Sequence, residues 1–156
     1  MRNWIPACAG VMLAAATMAA VAANPIYPET SRAEADVVAA LVDAAKTKRR
    51  VLVDFGGNWC GDCKVLDAHL KKPENAAVLK ARYVVVHVNV GDKGIDSNLA
   101  LAERYGIPLK KGVPALAVLD ANGRVVYAQK NGEFESMRAM DPKSVHDFLT
   151  KWQVDR

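Results

Sequence analysis

The 156-residue sequence predicts a single α/β domain, with a mixed central sheet of about four strands and helices on both faces. Three observations support this prediction. Short β-branched runs alternate with segments whose apolar residues recur at helical spacing. The first two runs are separated by helical segments, which indicates a parallel pair, whereas the last two are joined by a tight turn, which indicates an antiparallel pair. Hydrophobic residues make up 51% of the chain and charged residues 24%, as in an ordered globular domain.

Residues 1–23 have the composition of a secretory signal peptide. Met1-Arg2-Asn3 is a short positive start, an uncharged alanine-rich stretch follows, and Val21-Ala22-Ala23 offers the small residues that a signal peptidase recognises. We therefore expect cleavage after Ala23, export to the periplasm or another compartment outside the cytoplasm, and one domain over residues 24–156. The alternative is an uncleaved anchor, because the apolar stretch is almost long enough to span a bilayer.

The first predicted elements lie between residues 24 and 55. A short edge strand is expected around Ile26-Tyr27, in an extended lead-in that contains two prolines. Ser31-x-x-Glu34 has the pattern of a capping box and predicts the start of a helix. Val51–Phe55 is a short apolar run and predicts a buried strand. The helix is expected to bury Val37, Val38, Leu41, Val42 and Ala45.

Two helical segments and a second strand come next. Residues 60–72 predict a helix, Pro73 interrupts it, and residues 74–81 predict a shorter continuation. The inward side chains of the first segment are expected to be Val65, Leu66 and Leu70. Tyr83–Val90 is nearly all apolar, so we expect it to be a central strand, parallel to the first.

The remaining elements complete the sheet and cover it. Residues 98–105 predict a helix ended by Gly106, because glycine readily adopts the left-handed conformation found after helices. The others are strands over Val113–Leu119 and Arg124–Ala128, joined by an Asp-Ala-Asn-Gly turn, and a last helix that begins at Asp141-Pro142. That helix is expected to bury Val145, Phe148, Leu149 and Trp152.

The segment Trp59-Cys60-Gly61-Asp62-Cys63 is the most informative part of the sequence. A strand that leads into Cys-x-x-Cys at the start of a helix is an arrangement suited to thiol–disulfide exchange. Unpaired N–H groups and the helix dipole favour the thiolate of the first cysteine, and the thiolate is the attacking species. The second cysteine lies one turn later on the same face, close enough to attack a mixed disulfide.

The cysteine count argues against a structural role. Cys8 lies in the predicted signal, which leaves Cys60 and Cys63 alone, too few for a disulfide framework. The pair would also be a weak staple, because so short a loop removes little entropy from the unfolded chain. No second Cys-x-x-Cys is present to complete a zinc site, and we predict no metal and no cofactor. The alternative is a metallochaperone module that holds Cu(I) with the two sulfurs, either alone or together with His69. His69 is otherwise a polar position on the same helix.

The net charge of +4 does not indicate a nucleic-acid-binding protein. The basic residues occur in short scattered pairs, such as Arg49-Arg50 and Lys110-Lys111, with no aromatic residues between them. Export would also remove most access to nucleic acid. Solvated surface charge is the simpler interpretation.

Two motifs together resemble the thioredoxin superfamily. Val-Asp-Phe, three residues and then Trp-Cys-Gly-x-Cys-Lys matches the active-site segment of that family, and Tyr105-Gly106-Ile107 followed by Gly112-Val113-Pro114 matches the segment that carries its cis-proline. The resemblance covers about residues 35–152 and implies the thioredoxin fold. The export signal and the lysine after Cys63 further resemble the soluble, periplasm-facing domains of bacterial thiol–disulfide interchange proteins.

The resemblance assigns roles to residues around the cysteines. It implies that Cys60 is the nucleophile, that Cys63 is the resolving thiol and that Trp59 forms a wall of the site, with Gly61 beside them. Pro114 would be the cis-proline, and the backbone of Val113 would pair with an extended substrate as a short strand. An ordinary core role for the tryptophan is the alternative interpretation.

The resemblance also assigns Asp54 as a buried carboxylate beneath the resolving sulfur. Burial disfavours the charged form of an acid, which suits it to take a proton from Cys63. A solvated aspartate at the strand end is the alternative. His87 replaces the lysine that usually partners this acid, so proton handling would respond to the charge of a histidine near neutral pH. The alternative is a polar side chain packed on a strand.

Asp62 departs from the family pattern, which has proline before the second cysteine. A negative charge beside the thiolate should raise the pKa of Cys60 and stabilise the disulfide relative to the dithiol. That effect favours a reducing role, and Lys64 opposes it.

The sequence as a whole predicts an exported thiol–disulfide oxidoreductase that reduces protein disulfides through a mixed disulfide. Its expected partners are disulfide-containing envelope proteins and a membrane-embedded electron donor, with the protein acting as a monomer. The Cu(I) module remains the alternative from another functional class.

Overall fold

The computed structural model describes residues 24–154. Its elements in chain order are α1 (Ala33–Thr47), β1 (Arg50–Gly56), α2 (Gly61–Leu70), α3 (Pro73–Arg82), β2 (Tyr83–Asn89), α4 (Leu99–Arg104), β3 (Ala115–Leu119), β4 (Val125–Ala128) and α5 (Ser144–Lys151). Short 3₁₀ turns cover Thr30–Arg32, Leu109–Lys111 and Met137–Ala139. The predicted signal, residues 1–23, lies outside the described residues. Within 24–154, none of the helices has the length and apolar character needed to cross a membrane.

The four strands form one mixed sheet in the order β2-β1-β3-β4. Strand β1 pairs parallel with β2, which places Asp54 opposite His87, and antiparallel with β3. The hairpin partner β4 pairs antiparallel with β3. The predicted mixed sheet and the predicted parallel pair are both confirmed.

Strand β2 lies at the edge of the sheet, so the prediction that it is central was wrong. Its apolar sequence arises because helices cover both of its faces. Val86 and Val88 pack in a cluster with α1, while Tyr83 and Val85 pack in a second cluster with residues of α3. Double-sided burial therefore produces the same apolar run as a central position does.

Helix α1 buries a different face from the one predicted. Its buried side chains are Ala33, Val37, Ala40 and Ala44. Val38 is 59% exposed and Val42 is 50% exposed, so the expected apolar face was mostly wrong. Small alanine side chains let α1 pack closely against the sheet, and this arrangement leaves the two valines on the outer side.

The start of α1 also differs from the prediction. No side chain caps this helix, so the predicted capping box does not form. The 3₁₀ turn Thr30–Arg32 takes its place, and the backbone N–H of Arg32 donates to the carbonyl oxygen of Glu29 at 3.0 Å. Backbone bonds of this turn thus replace the bonds that a capping side chain would supply.

The lead-in is not a strand, and hydrogen bonds from a side chain hold its backbone instead. Residues 26–27 have no strand conformation. Instead, the side-chain amide of Asn58 accepts from the backbone N–H of Tyr27 at 3.0 Å and donates to its carbonyl oxygen at 2.8 Å. These two bonds satisfy the backbone as a neighbouring strand would, and they bury the Tyr27 side chain, which is 1% exposed.

The last helix begins slightly later than predicted, at Ser144. Before it, the Asp141 carboxylate accepts from the backbone N–H of Lys143 at 2.8 Å, and this turn replaces the predicted first residues of the helix. The expected inner residues Val145, Phe148 and Leu149 are buried, and Trp152 is half-buried. This helix closes the face of the sheet that α2 and α3 also cover.

Candidate functional site

The two cysteines form a disulfide at the start of α2. Cys60 is the N-cap residue, and its Sγ accepts a hydrogen bond from the backbone N–H of Cys63 at 3.1 Å. Cys60 is 6% exposed, whereas Cys63 is fully buried. The accessible sulfur is therefore the one that receives the backbone hydrogen bond, as a thiolate nucleophile requires.

A loop ahead of β3 forms the opposite side of the site. The peptide bond between Val113 and Pro114 is cis, and the carbonyl oxygen of Val113 lies 3.6 Å from Cys60 Sγ. Gly112 precedes them with a φ of 104°, a conformation that favours glycine. The accessible sulfur thus faces a backbone carbonyl that lies next to the sheet.

A groove of about 360 Å³ runs over this side of the disulfide. Its walls include Trp59, Cys60, Ile95, Val113, Glu135 and Arg138. Trp59 is 40% exposed, and its Nε1–H donates to the carbonyl oxygen of Gly91 at 2.9 Å. Apolar and charged side chains therefore both line the groove that contains Cys60.

The Asp54 carboxylate is fully buried, and one of its oxygens contacts two other side chains. The Tyr27 hydroxyl donates to Oδ2 at 2.7 Å, and Nδ1 of His87 lies 2.9 Å from the same atom. Oδ1 is buried and has no hydrogen-bond partner among the described residues. The solvated alternative for this residue is wrong, and one carboxylate oxygen is left to accept a proton.

Tyr27, which binds the Asp54 carboxylate, and the resolving Cys63 both lie close to Gly56. A methyl group added to this glycine would lie 2.8 Å from Cys63 Sγ and 2.5 Å from Cζ of Tyr27. Burial raises the pKa of Tyr27 far above its ordinary value, and the charge of Asp54 raises it further, so this hydroxyl remains protonated. Glycine is required because the buried sulfur and the ring that binds Asp54 both lie directly over its Cα.

Asp62 does not act as the free negative charge that the sequence suggested. The Arg138 side chain binds it through Nε at 3.1 Å and through a terminal nitrogen at 2.9 Å, and the Arg138 backbone N–H donates to it at 2.9 Å. Hydrogen bonds from Arg138 lower the pKa of Asp62. The cation that binds this carboxylate is Arg138, whereas Lys64 is exposed and makes no ion pair among the described residues.

His69 does not join the two sulfurs. Its Nδ1 lies 3.5 Å from Nζ of Lys72, near the end of α2. Within residues 24–154, no three His, Cys, Asp or Glu side chains are grouped as metal ligands would be. His69 follows Cys63 by six residues, which places it on a different side of the helix. His69 is therefore not a third ligand beside the two sulfurs.

Comparison with known proteins places this site in a family. A sequence model described as thioredoxin-like matches residues 32–121, which is more than half of the chain. The chain belongs to the thioredoxin-like family. It is 33% identical over 94 residues to a thioredoxin of Buchnera aphidicola subsp. Schizaphis graminum, over 60% of this chain and 76% of that one.

Two further relatives of this thioredoxin-like protein are disulfide isomerases by name. The crystal structure of a disulphide isomerase from Xylella fastidiosa Temecula1 has a TM-score of 0.77 and 37% identity, and the match covers 83% of this chain and 98% of that one. A protein disulfide-isomerase of Ricinus communis is 32% identical over 80 residues, but this chain spans only 15% of its length. The fold is confirmed as a thioredoxin fold, and the relatives support a thiol–disulfide oxidoreductase.

His87 links the buried carboxylate of this thioredoxin-like protein to the surface. Burial lowers the pKa of His87, but the hydrogen bond and the charge of Asp54, with Asp67 behind it, outweigh burial and raise that pKa above 6.5. The His87 side chain is 24% exposed. It therefore borders solvent on one side and contacts the buried acid on the other.

The raised pKa of His87 predicts a pH-dependent stability. A histidine whose pKa is raised on folding stabilises the protein fully below its unfolded value of 6.5, and this contribution is lost as pH rises through the folded value. The free energy of unfolding should therefore fall as pH rises through this range. In His87→Asn, which keeps an N–H donor without the charge, the free energy of unfolding measured with urea should depend less on pH.

His146→Asn is the control, because His146 is bonded to Asn75. This variant should keep the pH dependence of the wild-type protein. Equal slopes in wild type and His87→Asn would contradict the ion pair.

Two residues of the site were missed from the sequence. Tyr27 is 27 residues from Asp54, and Arg138 is 76 residues from Asp62, so neither pair has a local spacing signal. The one hint for the tyrosine is an aromatic residue between two prolines of an otherwise polar lead-in. The arginine has no such signal, because it lies in the irregular stretch before α5.

Proposed function

We propose that this protein is an exported thiol–disulfide oxidoreductase that reduces disulfides of envelope proteins. The observation that carries the proposal is the position of Cys60. It is the more accessible cysteine of the pair, at the N-terminus of α2, and its Sγ lies 3.6 Å from the carbonyl oxygen of Val113. An extended substrate paired with this backbone would bring its own disulfide to the sulfur.

The proposed cycle transfers two electrons from the cysteine pair to the substrate disulfide. The Cys60 thiolate attacks one sulfur of the substrate disulfide, a mixed disulfide forms, and the other substrate sulfur leaves as a thiolate. Cys63 then loses its proton and attacks Cys60, which releases the second substrate thiolate. The substrate gains two electrons, and the Cys60–Cys63 pair is oxidised to the disulfide. A donor dithiol, which we place in the membrane, must reduce the pair again.

Asp54 is the group that accepts the Cys63 proton in this proposal. Tyr27 and His87 both bind Oδ2, so they hold the carboxylate in place and leave Oδ1 unpartnered. A buried base with one free oxygen avoids competition from water. His87, at the border of the solvent, is placed to pass the proton onward.

The reducing direction rests on the similarity to thioredoxins rather than on the charge of Asp62, because Arg138 offsets that charge. Thioredoxin itself has a reduction potential of about −270 mV, in the reducing range. The monomeric state, the envelope substrates and the export through residues 1–23 belong to the same proposal. Cell fractionation would test the export, which predicts a shortened protein outside the cytoplasm.

Catalysed reduction of insulin by dithiothreitol tests the proposed activity. The purified protein should accelerate precipitation of the insulin B chain, and Cys60→Ser should reduce the rate to the uncatalysed value because no thiolate can attack. An active Cys60→Ser protein would exclude Cys60 as the nucleophile.

A further inference from the structure

Arg138 binds the active-site segment through both its backbone and its side chain. Three of its groups donate to the Asp62 carboxylate: the backbone N–H at 2.9 Å, Nε at 3.1 and 3.2 Å to the two oxygens, and a terminal nitrogen at 2.9 Å. Its neighbour Met137 is 2% exposed and anchors the 3₁₀ turn in the core beside α2. The pair therefore joins two rigid elements that are distant in the sequence.

The guanidinium also lies over the residue that follows the nucleophile. A Cβ placed on Gly61 would lie 3.8 Å from Cζ of Arg138, and Arg138 shares the groove with Cys60. Both charges of the pair are thus next to the backbone N–H groups that stabilise a Cys60 thiolate. At such short range a single unbalanced charge changes the energy of the thiolate, although solvent weakens the effect.

We propose that Arg138 is a positioning residue of the redox centre: by neutralising Asp62, it keeps a negative charge from acting on the Cys60 thiolate. The inference deepens the proposed function and rests on the same nucleophile. It explains how an acid can occupy the position between the cysteines. Without the arginine, Asp62 would oppose the stabilisation that the α2 N-terminus supplies.

Other charged groups near Cys60 are arranged differently. Glu135 borders the same groove, and its carboxylate accepts from the Ser136 hydroxyl at 2.8 Å. Lys64 is exposed on α2 and makes no ion pair among the described residues. The Asp62 side chain is only 14% exposed, whereas that of Arg138 is 72% exposed. Of the acids that line the groove, Asp62 is the one that forms an ion pair among the described residues, and its partner is Arg138.

The test is a titration of the Cys60 thiol in the reduced protein, followed by thiolate absorbance without any substrate. In Arg138→Gln the pKa of Cys60 should rise, so that the thiolate-to-thiol ratio falls roughly threefold at a given pH. In Asp62→Asn the uncompensated arginine should lower that pKa. The double variant should return to the wild-type value. Arg138→Lys keeps the charge and should also stay close to wild type.

Arg104→Gln is the matched control, because Arg104 forms an ion pair with Glu34 of the same 2.9 Å length on another surface. It should leave the pKa of Cys60 unchanged. The Arg138→Gln shift should also shrink in about 1 M salt, where the screening length is about 3 Å. A wild-type pKa in Arg138→Gln, or the same shift in Arg104→Gln, would overturn the proposal. Because no substrate is present, these outcomes are separate from failure of the proposed catalytic cycle.

Discussion

Cys63→Ser should arrest the protein as a covalent adduct with its substrates. Cys60 is the more accessible cysteine and keeps its thiol in this variant, so it can still attack a substrate. Without Cys63, no thiol is left to resolve the mixed disulfide. With insulin in vitro, the reduced variant should form a stable one-to-one adduct that dithiothreitol dissolves. In cells, the same variant should migrate on non-reducing gels as a set of larger species.

The double variant Cys60→Ser with Cys63→Ser is the control for this experiment, and it should form no adducts. The reciprocal single variant, Cys60→Ser, should form few, because Cys63 is fully buried. Equal trapping by the two single variants would show that the cysteines do not have separate roles. Absence of adducts with insulin in Cys63→Ser would contradict the mixed-disulfide cycle itself.

Asp54→Asn should slow the second half of the cycle and leave the first half intact. The amide has the shape of the carboxylate but cannot accept the Cys63 proton, and loss of a general base costs about 10²–10⁴-fold in rate. Acid quenching at successive times should therefore show a mixed disulfide that forms at the normal rate and decays slowly. Raising the pH should partly restore the decay, since hydroxide then deprotonates Cys63.

Asp67→Asn is the control for the acid. Asp67 is also a buried aspartate, on α2, but its carboxylate is bonded to Lys71 Nζ at 2.6 Å. Its variant should resolve the mixed disulfide at close to the wild-type rate. Thermal unfolding of both variants separates a catalytic effect from a loss of fold. Normal resolution in a folded Asp54→Asn protein would remove the acid from the mechanism.

The sequence predicted the parts of the site that local patterns determine. Strand β1, the start of α2 and the two cysteines follow each other within 14 residues, from Arg50 to Cys63, so hydrophobic runs and motif spacing were sufficient. The partnership of Asp54 with His87 came from the family resemblance, and the parallel register places these residues opposite each other. The roles of these side chains remain predictions.

The parts that sequence reasoning missed depend on packing between distant segments. The edge position of β2 was missed because helices bury both of its faces, which gives it the composition of a central strand. The face of α1 was mistaken because close packing selected Ala40 and Ala44 over the larger Val38 and Val42. Tyr27 and Arg138 reach the site from the two ends of the domain, and a spacing rule cannot detect such contacts.

The central claim is that the Cys60–Cys63 pair donates electrons to protein disulfides. Its most direct test is the reduction potential of the purified protein, measured by equilibration with glutathione and dithiothreitol buffers. We predict a value near that of thioredoxin, about −270 mV. A value near −120 mV, as in a strong periplasmic oxidant, would contradict the reducing role and identify the protein as a disulfide donor.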